Sequence, residues 1–168
     1  MATFHQLYNP EDSLWNIYLQ FVFADLESDS PPSLSRVIEW FQQHPSFEGF
    51  PGDLHQETIP LRNVTERTIR ELPLEHGLEI LEITIKEAVH YGSNERLMPD
   101  QAKLLAEAFV AEFDSPLIFS NQSRGSAPYY WGSSHGNVTD AERGYTWEYF
   151  VCSMDRKRIG FVFSLNNE

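Results

Sequence analysis

Leu78-Glu79-Ile80-Leu81-Glu82-Ile83-Thr84-Ile85-Lys86 and, further on, Gln101-Ala102-Lys103-Leu104-Leu105-Ala106-Glu107-Ala108-Phe109 hold the clearest hydrophobic patterns in the chain. In the first, Leu81, Ile83 and Ile85 alternate with Glu82, Thr84 and Lys86, which predicts a half-buried strand. In the second, opened by Pro99 and Asp100, Ala102, Leu105, Ala106, Phe109 and Phe113 recur at offsets of three and four and share one helix face. Ser115 and Pro116 stop that helix, and Leu117 to Phe119 predict the next strand.

Upstream, Leu14 to Ala24 has a period of two: Trp15, Ile17, Leu19, Phe21 and Phe23 fall on one side. The other side turns apolar at Val22, which predicts a strand inside the sheet and covered on both faces. After an acidic turn from Asp25 to Ser30, the Pro31-Pro32 pair suits a helix start. Leu34, Val37, Ile38 and Phe41 then fit one helical face, and His44 before Pro45 should end it. Ser46 to Leu54 reads as a loop anchored by Phe47 and Phe50, with glycine and proline at Gly49, Pro51 and Gly52.

Residues 55 to 76 support two readings: short strands at Thr58–Arg62 and Thr68–Leu72, or a short helix from Val64 to Leu72. With strands there, the first 120 residues run strand, helix, strand, strand, helix, strand. That βαββαβ order is the split βαβ pattern of ferredoxin-like sandwiches, an α+β class with two helices on one face of an antiparallel sheet. A C-terminal β-hairpin extends it, with Thr146–Cys152 and Ile159–Leu165 as strands around the turn Asp155–Arg158. At 168 residues the expectation is one domain spanning 1–168, burying about 70% of its unfolded surface.

Twenty-five acidic against twelve basic side chains give a formal charge of −13, a field that repels nucleic acid and anionic membranes and favours a basic partner. The excess is uneven, since residues 1 to 61 hold nine carboxylates and only Arg36 as a base. Arg156, Lys157 and Arg158 cannot offset that field for nucleic-acid binding; they suit pairing with the acidic N-terminal half or with a second copy in a dimer. Cys152 is the single cysteine, so no intrachain disulfide forms, and a reducing, cytoplasmic setting is expected. The first eleven residues lack the pattern of a secretory signal, and no apolar run is long enough to span a membrane. The sequons at Asn63, Asn121 and Asn137 read as ordinary loop sequence.

Motifs for chemistry are sparse. His5, His44, His55, His76, His90 and His135 show no metal-ligand spacing, and neither a nucleophile elbow nor a phosphate-binding loop is present, so no metal, cofactor or catalytic residue is expected. Gly132-Ser133-Ser134-His135-Gly136 is glycine-rich but lacks the lysine of a phosphate-binding loop. Mid-strand Cys152 reads as a core thiol. Of the carboxylate pairs, Glu79 and Glu82 point to opposite faces if their segment is a strand. Glu107 and Glu112 solvate a helix, whereas Asp140 and Glu142 share a loop with His135 and Arg143 and form the one acid-plus-histidine cluster.

Ser123 to Trp147 mixes Tyr129, Tyr130, Trp131, Tyr145 and Trp147 with serine, glycine and asparagine, the composition of binding loops. The competing reading is a strand at Tyr129–Trp131 with alternate rings packed inside. The sequence therefore points first to an acidic cytoplasmic protein that captures and neutralises a basic partner, of inhibitor or toxin-immunity type, a nuclease toxin being one candidate. Its contact residues would be Asp25, Glu27, Asp29, Tyr129, Tyr130, Trp131, His135, Asp140, Glu142 and Tyr145. The alternative is a small enzyme or ligand-binding domain with a pocket near residues 123–147.

Overall fold

A computed structural model describes residues 2–10, 19–48, 58–92, 100–123, 134–139 and 147–166. In chain order the elements are α1 (Phe4–Leu7), β1 (Gln20–Asp25), α2 (Leu34–Gln43), β2 (Ser46–Glu48), β3 (Thr58–Pro60), β4 (Arg70–Leu72), α3 (Leu74–Gly92), α4 (Gln101–Val110), β5 (Leu117–Ser120), β6 (Trp147–Met154) and β7 (Arg158–Asn166). The main sheet is five-stranded in the order β1-β7-β6-β5-β4, and β2 with β3 forms a second, two-stranded sheet. Every pairing in both sheets is antiparallel.

The class is α+β, as expected, but the ferredoxin-like order is not confirmed. Strands β4 to β7 run as a meander of sequence neighbours, and β1 adds to the far side of β7. The difference begins at residues 78–86, which are helical within α3 and not a strand. Leu81 and Ile85 fit both readings because four residues apart is a shared face in a helix as well as in a strand. Burial of Ile80, Leu81, Thr84, Ile85, Ala88 and Val89 settles on the helical period, while Ile83 is only half-buried. Glu79 and Glu82 consequently lie three apart on one helix, and Glu82 pairs with Lys86 at 2.9 Å. Leu74 to Gly77 form the first turn of α3, where Gly77 lets the helix backbone close on β5. A Cβ at Gly77 would stand 2.8 Å from Ile118 Cγ2.

Both faces of the sheet are covered, which corrects the expectation of two helices on one face. On one side Phe21, Ile118, Val151 and Val162 pack against α1, α3 and α4 through Phe4, Leu81, Leu105 and Phe109. On the other, Phe119, Phe150, Cys152, Phe161 and Phe163 meet α2 through Val37 and Phe41, and β3 through Ile59. Strands covered on both faces need no polar side, so β6 and β7 read as nearly unbroken apolar runs. Edge-to-face rings fill each layer, with Phe41 5.0 Å from Phe161 on one side and Phe4 5.0 Å from Phe21 on the other.

Strand β1 corrects another expectation: it pairs with β7 alone and so lies at the sheet edge. Its double coverage holds, because Phe21 and Phe23 face the α4 side while Val22 and Ala24 face the α2 side. Helix α2 keeps its expected apolar face and ends at His44, though its N-cap is Ser33, whose hydroxyl accepts the Arg36 N–H. Helix α4 buries Ala102, Leu105, Ala106 and Phe109 as read from the sequence. Phe47, expected in a loop, lies in β2; Phe50 falls outside the described residues. In the uncertain 55–76 stretch, the described part takes the strand reading at Thr58–Pro60 and Arg70–Leu72. The C-terminal hairpin is present, and Asp155 shapes its turn by accepting N–H bonds from Lys157 at 2.8 Å and Arg158 at 2.7 Å.

Candidate functional site

At the end of the sheet where β5 finishes and β6 begins, a short segment, residues 134–139, is seated on a buried polar cluster. Asn121, fully buried just past β5, donates from Nδ2 to the Gly136 and Glu148 carbonyls at 3.0 Å each. Its Oδ1 accepts the Phe150 N–H at 3.0 Å. Gln122 adds an Nε2 bond to the Glu148 carbonyl at 2.8 Å and pairs with Ser134 across an antiparallel bridge. Ser120 donates to the Phe150 carbonyl at 2.7 Å and accepts the Gln122 N–H at 3.0 Å. A main chain leaving a sheet loses its ladder partners, and these amide and hydroxyl side chains replace them.

Glu148, 3% exposed on β6, receives three donors from the seated segment. Val138 N–H reaches Oε2 at 2.7 Å and Thr139 N–H reaches it at 3.1 Å. The Thr139 hydroxyl donates to Oε1. Burial pushes the Glu148 carboxyl above the usual carboxylate range, against the pull of the Thr139 hydroxyl and the Thr139 and Val138 N–H groups. From the other side, Asn63 donates its N–H to the Val138 carbonyl at 3.1 Å and its Nδ2 to the Asn137 carbonyl at 2.7 Å. Gly136, at φ +144°, passes close to Thr68: a Cβ there would stand 3.1 Å from Thr68 Cγ2.

His135 lies on this segment, half-buried, with its main-chain N–H on the Asn121 carbonyl at 2.7 Å. Partial burial and the charge of Arg70 lower its imidazole below the usual histidine value. The other residues expected around it, Tyr129, Tyr130, Trp131, Asp140, Glu142 and Tyr145, lie outside the described residues, as does Arg143.

Asp25, Glu27 and Asp29 are exposed on the turn after β1, as expected of contact residues. Two of them already have cationic neighbours: Asp29 pairs with Arg156 at 3.3 Å and Asp25 with Arg158 at 4.0 Å. Arg36 of α2 donates to the Ser28 and Ser30 carbonyls of the same turn and to the Arg156 carbonyl at 3.4 Å. The basic hairpin turn thus pairs with the acidic N-terminal half, one of the two arrangements the sequence suggested. Glu107 and Glu112 do not form one helical pair, because Glu112 lies past the end of α4, where its carboxylate approaches His5 at 3.5 Å.

Cys152 is fully buried, and burial pushes its thiol far up, so it is an inert core side chain. Among the described residues no group of three or more His, Cys, Asp or Glu side chains is placed to hold a metal, and no helix is long and apolar enough to cross a membrane. The sequon at Asn121 cannot act as an acceptor in the folded chain, since that amide is buried and both its hydrogens are donated.

Gln122, Thr139 and Glu148 were not singled out from the sequence, and Asn121 was noted only as a sequon. Glu148 alone carried a readable signal, because its parity in the predicted strand matches Phe150 and Cys152 and so points inward. No protein-family model matches the chain, and comparison with curated proteins and with solved structures finds no match.

Proposed function

We propose that the chain is a non-catalytic, cytoplasmic binding protein that uses its acidic surface and the 124–146 region to capture a basic protein, in the manner of an inhibitor or immunity protein. The observation that carries this reading is the way the buried polar groups beneath that region are used. Asn121 and Glu148 spend their donors and acceptors on the main chain and on Thr139. With three donors from Val138 and Thr139 on its carboxyl, Glu148 is committed to holding the main chain. Such a cluster fixes residues 134–139 on the sheet, an arrangement suited to recognition by the residues that flank them in sequence. The aromatic and small polar residues between Ser123 and Trp147 suit contact, and the −13 charge selects the sign of the partner. Exposed Glu27, Asp29 and Glu39 add carboxylates on two segments that Arg36 ties together.

A pocket-bearing enzyme or ligand-binding domain is the second reading, and one observation favours it. His135 is held toward its neutral form beside Arg70, the form a general base requires. Affinity capture from a native lysate, washed at low and at high salt, tests the leading reading. Retention of a basic protein that high salt releases supports it, and the absence of any salt-sensitive basic partner removes it.

A further inference from the structure

Glu148 is a buried acid without a counter-cation among the described residues. Among the described residues it forms no ion pair, and every group on its carboxyl is a neutral donor: the N–H of Val138, the N–H of Thr139 and the Thr139 hydroxyl. Among the described residues, the charged or titratable side chains on the surrounding elements are His135 on the segment itself, Arg70 and Glu71 on β4, and Arg62, Glu66 and Arg67 on the turn between β3 and β4. Strands β5 and β7 bring none to this end.

The geometry accepts the acid in either charge state. As a carboxylate it takes all three donors. As a neutral acid it keeps both N–H bonds on Oε2 and reverses the third, because a threonine hydroxyl both donates and accepts. The neutral form avoids burying an unpaired charge, a cost that hydrogen bonds only partly offset. When residues 134–139 lift away, Glu148 meets water and becomes an ordinary carboxylic acid, ionised at neutral pH.

We propose that Glu148 is a proton-linked latch: closing residues 134–139 onto the sheet takes up one proton at its carboxyl group, and opening them releases it. The latch is tightest when the carboxyl is neutral. It loosens as pH rises between the ordinary carboxylate value and the higher value of the closed state, by up to about tenfold in the open fraction per pH unit. The same cluster holds Ser134 to Thr139, to whose two ends residues 124–133 and 140–146 are joined in sequence, so proton binding orders both junctions. This stands independently of what those residues bind.

Hydrogen exchange of the intact chain, read by mass spectrometry between pH 5 and 8 and corrected for intrinsic exchange chemistry, tests it without a partner. Peptides covering 134–139 should lose protection as pH rises, while those covering Phe150–Met154 should not. Glu148→Gln cannot ionise, yet it keeps an acceptor for the N–H groups and a donor for Thr139, so its 134–139 peptides should show no pH slope. A flat wild-type profile, or an equal slope in Glu148→Gln, overturns the latch. Infrared titration of the wild type covers the case in which the variant does not fold. A buried carboxylic C=O band that persists above the ordinary carboxylate range supports the proposal, and its absence refutes it.

Discussion

Replacing Asn121 by alanine removes three hydrogen bonds from a fully buried position, and their consequences differ. The Glu148 carbonyl keeps Gln122 Nε2 at 2.8 Å and remains satisfied. The Gly136 carbonyl is on a half-buried residue, where it also has the Ser134 hydroxyl at 3.3 Å. The Phe150 N–H, on a residue with 0% exposure, loses its Oδ1 acceptor. One orphaned buried donor costs about 1–3 kcal/mol, and two weakened carbonyl contacts bring the expected loss to about 2–4 kcal/mol. Asn121→Asp should be worse at neutral pH, because it aims an anionic oxygen at two carbonyls, and it should recover part of its loss on acidification. Urea denaturation followed by tryptophan fluorescence gives the numbers. A loss below about 1 kcal/mol for Asn121→Ala, or an aspartate variant as stable as wild type, would refute the view that this amide holds the stems together.

Gly160→Ala should destabilise by about 1–3 kcal/mol, because its Cβ would stand 2.5 Å from Phe113 Cζ and 3.0 Å from Phe23 Cδ1, between rings that Arg158 covers; thermal melts check it. Ser153→Ala should be neutral or stabilising by up to about 1 kcal/mol, since its buried hydroxyl has no hydrogen-bond partner among the described residues; equilibrium denaturation is the assay. For Asp155, burial works upward but is outweighed by the N–H groups of Asp114, Lys157 and Arg158 and by the Arg158 charge, so its carboxyl lies below the usual value. A lowered folded value means that its contribution is complete above the unfolded value and fades as pH falls through the folded one. Stability measured from pH 6 to 2 should therefore drop less steeply below about pH 4 in Asp155→Asn than in wild type.

What could be read from the sequence was local and periodic. Helix α4, the C-terminal end of α2 and the terminal hairpin followed from patterns that only one geometry explains. Residues 78–86 did not, because Leu81 and Ile85 satisfy both periods and the β-branched Ile83-Thr84-Ile85 run favours the strand reading until packing against β5 decides. The covering of both sheet faces was visible only at Val22. Asn121 and Gln122 stayed hidden because their partners, Gly136 and Glu148, are 15 and 26 residues away, a pairing no local pattern carries. The pairing of Asp25 and Asp29 with the hairpin turn is likewise long-range, although the basic turn that supplies Arg156 and Arg158 was visible.

Hydrogen-exchange footprinting of the chain with and without a basic protein retained at low salt puts the binding account to its sharpest test. The account predicts new protection in residues 124–133, 140–146 and the turn 25–30, with β6 and β7 unchanged. Protection confined to the edge strands β1 and β4, or none at all, would contradict it.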